Sequence, residues 1–151
     1  MSEVLAKLEK KGGSGFANIS VGDIVTGSLT GSHTIANYDF QVCYASKTRV
    51  CLLGVSSITS TTNATARGYS WNATFQAGAV TGNPITVTGV KIPTLEQLST
   101  LIANYSRGFH YWTGSVNGGN AYCPNFYGTG SVYLNAVGNS SGVLPFVIID
   151  L

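Results

Sequence analysis

Through most of the first half of the chain, short apolar segments alternate with clusters of Gly, Asn and Ser, a pattern typical of β-strands joined by turns. Three such segments span residues 23–25, 38–44 and 49–55. The third is apolar on both faces, which predicts a central strand with both faces buried. The first half of the chain is therefore predicted to consist mainly of β-strands.

Three later stretches complete the predicted strands and loops. Trp71 and Phe75 stand in a Thr- and Asn-rich region, which predicts a loop anchored to the core by these two rings. Residues 80–90 predict one or two short strands around an Asn-Pro pair. Residues 144–151 are too apolar for an exposed tail, so they predict a final core strand.

The body of the chain contains one well-signalled helix. Pro93 precedes Thr94, and Gln97 follows three residues later, which is the arrangement of a capping box. Gly108 lies just past the predicted end, so the helix should cover about residues 95–105. Its buried stripe is formed by Leu95, Leu98, Leu101 and Ile102.

The N-terminus reads as a separate unit. Residues 2–11 place three apolar side chains on one helical face with charges opposite, and residues 12–15 are a Gly-rich link. Because so short a helix is marginal alone, it should pack on its own domain, on the same helix of neighbouring subunits or on a partner; a frayed terminus is the alternative. The candidate anchor or oligomerisation residues are Val4, Leu5 and Leu8. We predict an arm over 1–15 and a single β-rich domain over 16–151.

Charge is scarce and unevenly placed. Only 9% of the 151 residues are charged, against about a quarter in ordinary soluble proteins. Residues 1–11 contain five of the fourteen charged residues, and uncharged Ser, Thr, Asn and Gly cover stretches such as 56–65 and 135–142. A net charge of +2 spread this thinly gives no basic stripe, so nucleic-acid binding is not expected.

The same pattern bears on location. Residues 1–11 lack the apolar segment of a secretory leader, and no stretch is long and apolar enough to span a membrane. Synthesis in a cytoplasm combined with a display-type surface favours a virus particle that is released by lysis.

Catalytic and metal-binding chemistry is poorly represented. Outside the N-terminal segment, the chain has two histidines and four carboxylates: His33, His110, Asp23, Asp39, Glu96 and Asp150. Glu96 fits the first turn of the predicted helix and Asp150 is almost terminal, which leaves too few groups for a catalytic triad. No zinc spacing or calcium loop is present. The sequence therefore predicts no catalytic residue, no metal, no cofactor and no enzyme activity.

The three cysteines leave two interpretations open. If residues 39–44 and 49–54 form a hairpin, Cys43 and Cys51 lie opposite each other, which would permit a disulfide. Alternatively, the two are small buried apolar residues, the interpretation favoured in a reducing cytoplasm. Cys123 stands alone and is interpreted as packing.

Aromatic and amide side chains concentrate in the second half and could contact a sugar or a protein surface without charge. The candidate ligand-binding residues are Tyr111, Trp112, Asn117, Asn120, Tyr122, Asn125 and Tyr127. Core packing is the favoured alternative for Trp112, Tyr122 and Phe126. The loop 115–120 is the better candidate for surface contacts, with a plain surface loop as its slightly favoured alternative.

A family resemblance rests on five motifs in order: KIPTLEQLSTL at 91–101, YWTGS at 111–115, NAY at 120–122, GSV at 130–132 and the closing segment 142–151. Together these resemble the C-type-lectin-like, formylglycine-generating-enzyme-like domains of bacterial and phage surface proteins. The resemblance covers about residues 20–151. It departs at Leu144-Pro145, where many relatives have Arg-Pro.

The resemblance implies an α+β fold, mainly antiparallel β, with one principal helix, pairing of the first and last strands, and loops that are free to vary. It also implies a phage virion protein of the head-fibre, decoration or tail-tip type, displaying a lectin-like surface to a host or mucosal glycan or protein. A homo-oligomer, most simply a trimer, would contact other virion proteins through its N-terminus. The alternatives are an adhesin-type lectin domain on a bacterial surface and an enzyme of the formylglycine-generating type, whose cysteine pair has no counterpart in the matching region.

Overall fold

A computed structural model of the chain describes residues 19–101, 106–124 and 132–151. Within these ranges the fold is mainly antiparallel β-sheet with two short helices. The predictions for Val4, Leu5, Leu8, Asn125 and Tyr127 lie outside the described residues, as do those for Ile102 and Phe126.

The largest element is a six-stranded antiparallel sheet with the strand order β11-β3-β2-β1-β5-β6. Its strands are β1 (Ile24–Gly31), β2 (Ile35–Ala45), β3 (Arg49–Gly54), β5 (Trp71–Phe75), β6 (Ile85–Val90) and β11 (Phe146–Asp150). The sheet curls so that its two outer strands meet at a single bridge, where the Phe146 N–H donates to the Lys91 carbonyl at 2.9 Å. Most of the core lies inside this curve.

Two smaller sheets and two helices complete the described residues. The two-stranded sheet pairs β4 (Ser60–Thr61) with β10 (Ser141–Gly142), and the three-stranded sheet has the order β7-β8-β9. Its strands are β7 (Val116–Asn117), β8 (Asn120–Pro124) and β9 (Val132–Ala136). The helices are α1 (Asn63–Gly68) and α2 (Leu95–Leu101).

Strand β3 confirms the prediction of a central strand with both faces buried. Val50 and Leu52 face the cluster inside the curved sheet. Cys51 and Leu53 face a second cluster, on which Leu98 of α2 packs. Because both faces are covered, the strand needs apolar side chains at successive positions rather than at alternate ones.

The predicted capping box of α2 is also confirmed. The Thr94 N–H donates to Gln97 Oε1 at 2.9 Å, and the Gln97 N–H donates to Thr94 Oγ1 at 3.1 Å. These reciprocal bonds satisfy two of the N–H groups that a helix start leaves unpaired. Leu98 is buried as predicted, while the predicted end of the helix, beyond Leu101, lies outside the described residues.

The prediction of a loop around Trp71 and Phe75 is wrong, because these residues begin and end strand β5, between β1 and β6. Trp71, Ala73 and Phe75 are buried, and the residues between them are half-buried. The alternation has the two-residue period of a strand. This alternation is hard to recognise in the sequence because small polar residues occupy the outward positions.

Two further features differ from expectation. Helix α1 was not predicted, since its six residues, NATARG, are too few to show a helical period, and its position is set by the buried side chains of Asn63 and Ala66. The resemblance also implies that the first and last strands pair. Among the described strands, β11 pairs with β3 and is separated from β1 by two strands.

Candidate functional site

Two of the predicted ligand-binding residues belong to the core. Tyr111 and Trp112 have no exposed side-chain area. The indole N–H of Trp112 donates to the Thr61 carbonyl at 2.6 Å, and its backbone N–H donates to the Gly142 carbonyl at 3.0 Å. Trp112 thus joins the segment after α2 to both strands of the two-stranded sheet, and neither ring is available to a ligand in this conformation.

Three other predicted residues come together on the solvent side of the three-stranded sheet, here called the outer face. Asn117 pairs with Asn120 across β7 and β8, and Tyr122 pairs with Leu134 across β8 and β9. Directly opposed residues in an antiparallel pair point to the same side. Both asparagines are exposed and Tyr122 is half-buried. The outer face also carries Val132 and Leu134, which are 37% and 43% exposed.

A shallow depression elsewhere on the surface has the chemistry expected of a sugar site. This polar basin has a volume of about 690 Å³. It is lined by Ser57, Ser60, Phe109, His110, Asn135, Asn139, Ser140, Ser141 and Gly142. None of the lining residues is Asp, Glu, Lys or Arg, so the basin offers amides, hydroxyls and two rings without a strong charge.

The basin is assembled by the pairing of β4 with β10, which joins segments far apart in the chain. A hydrogen-bonded series joins three of the lining residues: Asn139 Nδ2 donates to Asn135 Oδ1 at 2.9 Å, and Asn135 Nδ2 donates to Ser141 Oγ at 3.1 Å. Ser57, which also lines the basin, accepts the Val143 N–H at Oγ at 3.1 Å. These bonds hold the polar groups in place before any ligand arrives, which lowers the entropy cost of binding.

Aromatic contact supports the rim of the basin. Phe109 is half-buried and meets the buried Tyr111 edge to face, with ring centroids 6.1 Å apart. The predicted residue Tyr111 therefore contributes by supporting Phe109 rather than by contacting a ligand itself. The partly exposed ring of Phe109 gives the basin an apolar surface beside its amides.

None of the basin residues is a site candidate from the sequence, although several of them lie in the uncharged stretches 56–65 and 135–142, which are predicted to cover the surface. Their convergence is a long-range effect of strand pairing, and no local motif encodes it. The available signal in the sequence is a pair of uncharged segments, rich in hydroxyl and amide side chains, that flank strands.

The cysteine pair sits at an irregularity of the β2–β3 ladder. Val42 pairs with Leu52 and Tyr44 pairs with Cys51, so Cys43 is the extra residue of a bulge. All three cysteines are buried and outside any disulfide, and Cys43 Sγ donates to the Cys51 carbonyl at 3.3 Å. Burial raises the pKa of the Cys43 thiol to about 12 and that of Cys51 to about 11.

These pKa shifts predict alkaline sensitivity. The ordinary thiol pKa is 9.0, so above pH 9 the unfolded chain loses protons that the folded chain retains. The contribution of the two thiols to stability is complete below pH 9 and is lost as the pH rises toward 11 to 12. We expect the free energy of unfolding in urea to be lower at pH 10.5 than at pH 8, and the decline to be smaller in a Cys43→Ala, Cys51→Ala variant. An equal decline in both proteins would show that other groups are responsible.

Comparison of the chain with family models, with curated proteins and with solved structures gave no match. The resemblance to C-type-lectin-like domains therefore rests on the motifs alone. Over the parts of the chain that the structure describes, no helix is long and apolar enough to cross a membrane.

Proposed function

We propose that this protein is a non-enzymatic, lectin-like binding module of a phage particle, and that its polar basin binds a neutral host or mucosal glycan. The observation that carries the proposal is the composition of the basin, in which hydroxyl, amide and aromatic groups converge without Asp, Glu, Lys or Arg. Neutral sugars are recognised by such groups, through hydrogen bonds to their hydroxyls and contact of their C–H faces with rings.

The size of the basin fits this ligand class. A volume of about 690 Å³ lies within the range of small-molecule sites and leaves room for more than one sugar ring. Its open form suits a ligand that is part of a longer chain. The fixed amides of Asn135 and Asn139 supply orientation, because each has a defined hydrogen-bond partner.

Display on a particle is supported by the rest of the surface. Few charges and many Ser, Thr and Asn side chains keep the body solvated without strong attraction to charged polymers. In this proposal, residues 1–15 attach the body to other virion proteins or to the same segment of neighbouring copies. The C-type-lectin-like assignment belongs to the proposal as well, with the order of the motifs as its support.

The test is binding of the purified chain to an array of neutral and acidic glycans, followed by titration of the best neutral ligand. We expect Asn139→Ala to weaken that binding roughly tenfold, because a hydrogen-bonding group is lost from the lining of the basin. Asn139 is exposed, so folding should be unaffected, which circular dichroism would check.

The matched control is Asn117→Ala, which removes an exposed asparagine from the outer face. It should leave the affinity unchanged. If Asn117→Ala weakens binding and Asn139→Ala does not, the outer face is the site and the assignment to the basin fails. If no neutral glycan binds at all, the proposed function itself is rejected.

A further inference from the structure

A second concave site lies between the two outer strands of the six-stranded sheet. This basic cleft, with a volume of about 500 Å³, is lined by twelve residues, among them Arg67, Val87, Thr88, Lys91, Gly114 and Ile148. It opens beside the bridge between Lys91 and Phe146. The cleft shares no lining residue with the polar basin.

A bulge in β6 shapes one wall of the cleft. Trp71 pairs with Val90 and Ala73 pairs with Val87, so Thr88 and Gly89 together oppose the single residue Asn72. Gly89 has a φ of +67°, a conformation that glycine adopts without strain. Such a bulge bends a strand and redirects its side chains, and bulges are frequent beside functional sites. The irregularity falls on residues that line the cleft.

The cleft concentrates positive charge in a chain that has little of it. After residue 11 the sequence contains only five Lys and Arg residues, and two of them, Arg67 and Lys91, line this one site. Arg67 Nε donates to Asn63 Oδ1 at 2.8 Å, and Asn63 is fully buried and donates to the Thr113 carbonyl. Lys91 Nζ donates to the Tyr69 carbonyl at 3.1 Å. Both cations are therefore positioned by neutral oxygen atoms.

The carboxylates of the body are occupied elsewhere or lie outside the lining. Asp23 accepts the Ser20 N–H, Asp39 accepts the Thr26 hydroxyl, and Asp150 pairs with Arg49 at 2.6 Å. Glu96 does not line the cleft. Within the described residues, no carboxylate forms an ion pair with Arg67 or Lys91. The site thus presents two cations without an internal counter-charge, and guanidinium groups match carboxylates well.

The remaining wall limits the kind of acid that fits. Half-buried Val87 and Ile148 offer a small apolar surface, to which the almost fully buried Val90, Ile92 and Phe146 also contribute, and exposed Thr88 adds a hydroxyl. A long alkyl chain would need a larger enclosed apolar surface, whereas a sugar ring has one modest C–H face and several hydroxyls.

We infer that the basic cleft binds an acidic sugar, with its carboxylate at Arg67 and Lys91 and its ring against Val87 and Ile148. The inference depends on the proposed function in one respect, namely that the ligand is a sugar.

The experiment is a titration of the full chain by two-dimensional ¹H–¹⁵N NMR at low ionic strength, with methyl glucuronide, methyl glucoside and acetate as probes. Methyl glucuronide should shift the amide signals of Thr88, Gly89, Lys91 and Gly114, and methyl glucoside should not. Lys91→Gln should weaken the binding roughly fivefold, and the Arg67→Gln, Lys91→Gln double variant roughly twentyfold, as expected of exposed charge pairs. Added salt should weaken it as well.

Lys47→Gln is the matched control, because it removes one exposed cation from the turn after β2. It should leave the affinity for methyl glucuronide unchanged; an equal loss in this variant would mean general charge attraction and would overturn the inference. Absence of shifts in the cleft overturns it too, and acetate binding as tightly as methyl glucuronide overturns the sugar class. Neutral-glycan binding is followed separately through the signals of Asn139 and Ser140, so failure at one site is distinguished from failure at the other.

Discussion

Replacing Trp112 with alanine is expected to lower the free energy of unfolding by about 3 to 5 kcal/mol, the usual range for removing a fully buried large aromatic side chain. Trp112 has no exposed area and lies in the main core cluster. Because small domains have total stabilities of about 5 to 15 kcal/mol, the variant should be close to unfolding. Urea denaturation followed by circular dichroism measures the change.

Trp112→Phe separates the two contributions of this side chain. Phenylalanine keeps most of the apolar contact but cannot donate the 2.6 Å hydrogen bond to the Thr61 carbonyl. We expect a loss of about 1 to 3 kcal/mol, since the part-buried Thr61 carbonyl loses this donor. A Trp112→Ala variant within about 1 kcal/mol of the original protein would contradict the assignment of this ring to the core.

Gly54→Ala is the second substitution with a large expected effect. A Cβ at position 54 would collide with the Tyr38 hydroxyl and would lie 2.9 Å from Pro145 Cδ. The Tyr38 hydroxyl donates to the Ser56 carbonyl, so it cannot move aside without breaking that bond. We expect a loss of about 3 kcal/mol in the free energy of unfolding, at the upper end of typical overpacking costs.

A double-mutant cycle tests this cause. If the collision with the hydroxyl dominates, Tyr38→Phe should cost less in the Gly54→Ala background than in the original protein, because the two positions interact. Gly138→Ala is the control: its Cβ would meet no atom within 4 Å, so it should change stability by less than about 0.5 kcal/mol. Additive effects at Tyr38 and Gly54 would assign the cost to Pro145 or to the backbone instead.

The parts of the fold that could be predicted are those with local, periodic signals. The capping box of Thr94 and Gln97 can be recognised from only four residues. The continuous apolar character of strand β3 predicts a buried strand. Strand β5 was missed because its outward positions are Asn and Thr, which also favour loops. Helix α1 is only six residues long, too short to be stable alone, and depends on tertiary contacts such as the bond from Asn63 to the Thr113 carbonyl.

The candidate sites were harder to predict than the fold. Asn117, Asn120 and Tyr122 lie on one exposed or half-buried face because they belong to one hairpin, an arrangement that the sequence analysis did not predict. Both rings of Tyr111 and Trp112 are buried, which for Trp112 agrees with the favoured alternative of core packing. The polar basin and the basic cleft combine residues from segments that meet only through sheet pairing. The spacing of residues along the sequence does not reveal that these segments lie together.

The pairing of β4 with β10 has a consequence for when the polar basin forms during folding. The two strands are about eighty residues apart, and the loop between them must be closed before either polar segment faces the other. Contacts of such high sequence separation form slowly, and local elements precede them. A partly folded chain with β2 and β3 in place would still lack the basin that is proposed to hold a glycan. Under that proposal, ligand would bind only molecules in which β4 and β10 have paired, shield them from proteolysis as its concentration rises, and serve as a direct probe of this long-range pairing.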